Sequence, residues 1–135
     1  MSKQIFVNLH VKDLQKSMDF FQKLGFTFNP QFTDEKAACM VISDTIFSML
    51  LMEPYFKSFM DKDIPDTKKT SEVFLSLSAE SREEVDSLVK KAFDAGARNY
   101  KQPQDYGFMY QHAFEDLDGH IWEIFWMDPN GIPQQ

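Results

Sequence analysis

Two stretches of the chain repeat one rhythm of apolar and polar positions. Residues 5–28 and 73–100 each open on an alternating run, pass a helix-capping residue, continue as an amphipathic stretch, reach a glycine and resume an extended run. In the first stretch Ile5, Val7, Leu9 and Val11 alternate with Phe6, Asn8 and His10, the period-two mark of a strand with two unlike faces. Asp13 is a suitable N-cap; Leu14, Ser17, Met18, Phe21 and Leu24 then share one helical face, and Gly25 ends the helix. Phe26 and Phe28 resume a strand before Pro30, and residues 37–43 and 45–52 predict two more, joined by a turn at Ser43–Asp44. The first half reads β-α-β-β-β.

Residues 53–70 break the pattern with two prolines and a charge-rich end, which predicts a connector with one short helix near 55–60. The rhythm then restarts. Val73, Leu75 and Leu77 alternate with Phe74, Ser76 and Ser78, and Ser81 with Glu84 forms a capping box. Val85, Leu88, Val89, Ala92 and Phe93 make the next apolar stripe, closed by Gly96. Strands are predicted near 97–100, 107–114 and 120–127, the last two joined by the hairpin signal Glu115-Asp116-Leu117-Asp118-Gly119. Residues 128–135 read as an irregular tail.

Composition narrows the function. The 135 residues carry a net charge of −7 and a pI near 4.8, the opposite of what phosphate binding requires, so nucleic acid is not an expected partner. Arg82 and Arg98 are the only arginines, which disfavours arginine forks on an anionic substrate. Cys39 is the single cysteine and lies in an apolar context, so neither a disulfide within the chain nor a cysteine zinc cluster is expected. No apolar run reaches membrane-spanning length and no signal peptide pattern opens the chain; the expectation is a cytoplasmic protein with no membrane partner. Fourteen Phe, four Tyr and two Trp supply bulk for a core and for an aromatic pocket.

Two motifs carry a family resemblance. The V-x-D-x-x-x-S-x-x-F-F-x-x-L-G-F pattern at Val11–Phe26 and the D-x-D-G-H-x-x-E pattern at Asp116–Glu123 resemble the vicinal-oxygen-chelate superfamily. That superfamily includes glyoxalase I, extradiol dioxygenases and the fosfomycin- and bleomycin-resistance proteins. The resemblance implies an α+β fold of two paired βαβββ modules whose sheets curve around a cleft, and commonly a homodimer. It sets module one at 4–52, the connector at 53–70 and module two at 71–128 within a single domain of 1–135. In glyoxalase-like members each module offers one metal ligand from its first strand and one from its last. Those positions fall on Phe6 and Leu50 in module one and on Phe74 and Glu123 in module two. Phenylalanine and leucine cannot coordinate a divalent ion, so the resemblance implies a dismantled metal site in which Glu123 alone survives.

The candidate residues follow from faces. Phe6, Asn8 and His10 are expected to line the cleft, with the aliphatic face of the first strand on the helices. If the hairpin pairs Phe114 with Ile121, His112 faces Glu123, and the two serve as an acid–base pair or as a cross-strand salt bridge. Leu50, Phe74, Ser76, Tyr110 and Phe125 are expected to line the ligand site with Phe6, Asn8 and His10. His120 reads as a turn residue and Ser48 as a cleft-face serine. The first functional reading is a protein of the resistance type that binds a small organic molecule in an aromatic cleft, without cofactor. Its rival is a divalent-metal lyase or dioxygenase using His10, His112 and Glu123 as ligands. Metal-free catalysis by His112 and Glu123, and a module that binds only a protein partner, complete the alternatives.

Overall fold

Asp13 and Ser81 start the two long helices, each by the bond its side chain is suited to make. In the computed structural model, which describes residues 2–131, the Asp13 carboxylate accepts the N–H of Lys16 and the Ser81 hydroxyl that of Glu84. The chain divides into two compact units between Asp66 and Thr67. Unit one runs β1 (Ile5–Val11), α1 (Leu14–Lys23), β2 (Thr27–Asn29), β3 (Ala37–Val41), β4 (Ile46–Met52) and α2 (Glu53–Lys57). Unit two runs β5 (Leu75–Ser78), α3 (Arg82–Asp94), β6 (Arg98–Asn99), β7 (Gln104–Asp105), β8 (Met109–Glu115) and β9 (Ile121–Met127). The fold is α+β, with two mixed sheets of like topology. Unit one has the order β1-β4-β3-β2 and unit two β5-β9-β8-β6, with β7 also on β8. In each the first strand lies parallel to the last.

In unit one Ala38, Met40, Ser48 and Leu50 are wholly buried on one face, continuous through the register with Val7 and Leu9, and this is the face on which α1 packs. The aliphatic side of β1 therefore packs inward, as its alternation predicts. Leu50 lies on that same inward face, opposite to Phe6, Asn8 and His10, because its register partners are Leu9 and Ala38. The expectation that Leu50 lines the ligand site is corrected by this register, and so is that for Ser48, whose hydroxyl donates to the carbonyl of Val7. The residue of β4 opposite Asn8 on the open face is Met49. The connector helix begins at Glu53 rather than 55, since Pro54 presets the first turn.

In unit two Phe114, Trp122 and Ile124 are buried on the α3 side of the sheet together with Val85, Val89 and Ala92. The β8–β9 hairpin pairs Glu115 with Ile121, Phe114 with Trp122, Ala113 with Glu123 and His112 with Ile124. The expected pairing of Phe114 with Ile121 is off by one residue. Asp116 is the cause: its buried carboxylate accepts the N–H groups of Asp118 and His120 and the Nε1–H of Trp122, which draws the turn tight. Burial pushes the Asp116 carboxyl above its usual range, and those donors oppose the shift. A slip of one residue exchanges the faces of every side chain along the ladder. Of the tail expected to be irregular, residues 132–135 lie outside the described residues.

Candidate functional site

The site rises from the face of the second sheet that α3 does not cover. Alternation along β9 sends Ile121, Glu123 and Phe125 to this face; their partners across the ladder are Glu115, Ala113 and Gln111 on β8, and Ser76 and Ser78 on β5. Small residues thus flank Glu123 on both sides, Ser76 on one and Ala113 on the other, and the half-buried carboxylate stands in a hollow. A cleft of about 450 Å³ opens above it. One wall is the approach to β5, with Glu72, Val73 and Phe74; the other is the segment 100–106, with Tyr100, Lys101, Gln104 and Tyr106.

Ser76 donates its hydroxyl to Glu123 Oε1 at 2.8 Å. Among the described residues that is the one hydrogen bond to the Glu123 side chain, and no Lys, Arg or His stands within ion-pair distance of it. A carboxylate in a cleft with no protein cation within ion-pair distance is disposed to accept a hydrogen bond or a positive charge from a ligand.

The other predicted residues separate by face. Phe74 lines the cleft and is 61% exposed, and Phe125 lies on the floor strand beside Glu123. His112 reaches the edge of the cleft, but its register partner is Ile124 and its ring meets Phe93 of α3 edge-on at 5.6 Å. Its Nε2 lies 3.3 Å from Asn99 Oδ1, and burial pushes its pKa down. His112 and Glu123 therefore occupy opposite faces of the ladder and do not form the expected pair. Tyr110 is likewise on the α3 side: its hydroxyl donates to Asp86 Oδ1 at 2.6 Å, which pushes its pKa up to about 12. In unit one Phe6 stacks on Phe47 at 4.6 Å and Asn8 turns its amide back to the carbonyl of Phe6. His10, expected on an open cleft face, is buried under α2, its ring edge-on to Phe56 and its Nδ1 3.8 Å from Glu53.

The metal centre that the fold implies does not fit these residues. Its first-strand positions present the rings of Phe6 and Phe74, and Leu50 faces the buried side of its sheet. The relocated set His10, His112 and Glu123 is not assembled either, since His112 and Glu123 point to opposite faces. Among the described residues no group of three His, Cys, Asp or Glu side chains is placed to hold a metal ion. Reasoning from sequence missed Gln104, Gln111, Ala113 and Tyr100 as cleft residues. For Gln111 and Ala113 the signal was their period-two spacing on β8, readable once the register is known.

Known proteins agree with the fold. A model of the bleomycin resistance protein-like N-terminal region matches residues 3–43. The solved structure of the hypothetical protein SA1046 from S. aureus is 32% identical, with a TM-score of 0.78 over 93% of this chain and 94% of that one. A glyoxalase/bleomycin resistance protein/dioxygenase family enzyme from Burkholderia phytofirmans superposes with a TM-score of 0.79 at 18% identity, over 93% and 99% of the two chains. The fosfomycin resistance protein FosX from Listeria monocytogenes does so at 0.66 and 19% identity, over 93% of each. No match was found among curated proteins. With both sequence motifs, the repeated topology and these likenesses on one chain, the protein has the fold of the glyoxalase/bleomycin-resistance/dioxygenase proteins, and its residues 3–43 match the bleomycin resistance protein-like N-terminal family.

Proposed function

We propose that the cleft of unit two binds a flat organic molecule bearing a cationic or N–H-rich group, and that it does so without the metal of the glyoxalase site. The observation that carries the reading is the Glu123 carboxylate, steadied by Ser76 and facing a cleft of about 450 Å³ with no protein cation within ion-pair distance. Phe74, Tyr100 and Tyr106 on the walls offer aromatic faces to a flat or positively charged body. The net charge of −7 favours the approach of cations over anions. Binding is the role this reading assigns to the cleft, since His112, the acid–base partner expected for Glu123, lies on the opposite face of the ladder. The protein acts as a homodimer in this reading; Ile5, Phe6, Phe32 and Phe59 leave large apolar side chains exposed for a second copy to cover.

The test is calorimetric titration with bleomycin, the compound named by the matching family model, and with the flat cation proflavine against its uncharged analogue acridine at pH 7.5. One-to-one binding of the cations, tighter than that of acridine, is expected. Failure of every flat cation to bind, or stoichiometric nickel or zinc in the purified protein that is lost in Glu123→Gln, would overturn the reading.

A further inference from the structure

The segment that walls the cleft is fastened from behind. Residues 101–107 are all exposed, and Pro103, which has no N–H to give, precedes the two-residue strand β7. Alternation divides this strip between the faces of the sheet. Gln104 pairs with Gln111 and lines the cleft, as does Tyr106, whereas Asp105 pairs with Tyr110 and faces α3. There Arg82, the first residue of α3, meets it: Nη1 donates to Asp105 Oδ2 at 2.7 Å and Nη2 to Oδ1 at 3.1 Å. Nη2 also donates to the carbonyl of Gly107 at 2.9 Å, so one guanidinium grips both ends of the turn. The plane of the fork is set by two rings, with its central carbon 5.3 Å from the centre of Tyr110 and 5.1 Å from that of Trp126. Tyr110 is itself held by Asp86, one turn further along α3.

We propose that Arg82 is a positioning residue for the ligand cleft, clamping the strip Gln104–Gly107 from the α3 side of the sheet so that Gln104 and Tyr106 form a fixed wall on the other. The proposal rests on the reading of that cleft as a ligand site. A planar fork with two parallel bonds fixes an angle as well as a distance, which a lysine cannot do. The Arg82 bond holds the Asp105 carboxyl below its usual range, so the clamp stays charged through the neutral and mildly acid range. Beyond the clamp the strip has the N–H of Tyr106 on the carbonyl of Met109, the β7 pairing and bonds internal to the turn. Arg82 does not support α3 itself: a cation in the first turn opposes the helix dipole, and Glu83 and Glu84 there favour it.

Hydrogen exchange and proflavine titration of the full chain test this, in wild type, Arg82→Met, Asp105→Asn and the double variant. In Arg82→Met the amides of Tyr106 and Gly107 should exchange about tenfold faster while those of 121–127 keep their rates, and the urea midpoint should stay within error. Proflavine affinity should fall about three- to tenfold in each single variant and no further in the double, since either change opens the same clamp. Arg82→Lys should restore part of the affinity. Unchanged exchange at Tyr106 and Gly107 overturns the proposal, as does faster exchange with unaltered affinity, and so do losses that add in the double variant. If wild type fails to bind proflavine, the reading of the cleft fails instead, and the exchange rates alone decide whether the clamp exists.

Discussion

Units one and two share a topology and differ at one rung. Counting back five residues from the N-caps Asp13 and Ser81 gives Asn8 and Ser76, equivalent positions on the first strands. Across the parallel ladder Asn8 meets Met49, while Ser76 meets Glu123. Asn8 spends its amide on the carbonyl of Phe6, whereas Ser76 spends its hydroxyl on a carboxylate. The far end of the open face in unit one, at His10, lies under α2. The comparison shows how one scaffold serves two ends. A thioether at the position of Glu123 leaves the rung of unit one without a charge, and keeping the carboxylate leaves unit two a face able to recognise one.

The largest expected effect bears on the frame of unit two rather than on its rung. Trp122→Ala empties a buried site and strips Asp116 of an N–H donor, and should cost roughly 4 kcal/mol in urea denaturation. A loss below about 1 kcal/mol would show that the hairpin does not depend on this bond.

Glycines sharpen the comparison next. Gly119 and Gly25 both have positive φ, at 92° and 104°. A Cβ on Gly119 would lie 2.6 Å from the carbonyl oxygen of Thr67, whereas one on Gly25 would meet nothing within 4 Å. Gly25→Ala should therefore cost about 1 kcal/mol, the backbone penalty alone, and Gly119→Ala about 2–3 kcal/mol. Equal losses in the two variants would contradict the close approach at Thr67.

The smallest effect is a pH dependence. Burial lowers the His112 pKa in the folded state from its ordinary 6.5. The unfolded chain thus takes up the proton first as pH falls, so the contribution is complete above pH 6.5 and is lost below it. Wild type should lose more stability than His112→Gln between pH 7 and pH 5, by under about 1 kcal/mol after discounting for solvent. Parallel curves would show that the ring is not desolvated.

The fold was legible because its signals are local. A cap, a stripe and a glycine mark each long helix, and alternation marks β1 and β5. Faces were harder to read where nothing polar marks them. In β4, Met49, Leu50, Leu51 and Met52 are all apolar, so the run carries no phase and Leu50 is misassigned without the register. In the hairpin the phase depends on three donors converging on Asp116, a tertiary arrangement that alternation does not encode. That single residue of slip moved His112 and Tyr110 to the wrong side of the sheet. Most of the wall at 100–106 was missed for a different reason: a short polar strip beside a proline has no periodicity, and its order comes from Arg82, distant in sequence.

The central claim is that Glu123 is the charged anchor of the cleft, and the most direct test is a pair of affinities in one variant. Proflavine and acridine at pH 7.5 present nearly the same ring, one charged and one neutral. In Glu123→Gln the affinity for proflavine should drop about tenfold, the loss of one charge-assisted hydrogen bond, while acridine binding stays as in wild type. Equal losses for the two compounds, or none for proflavine, would contradict the account.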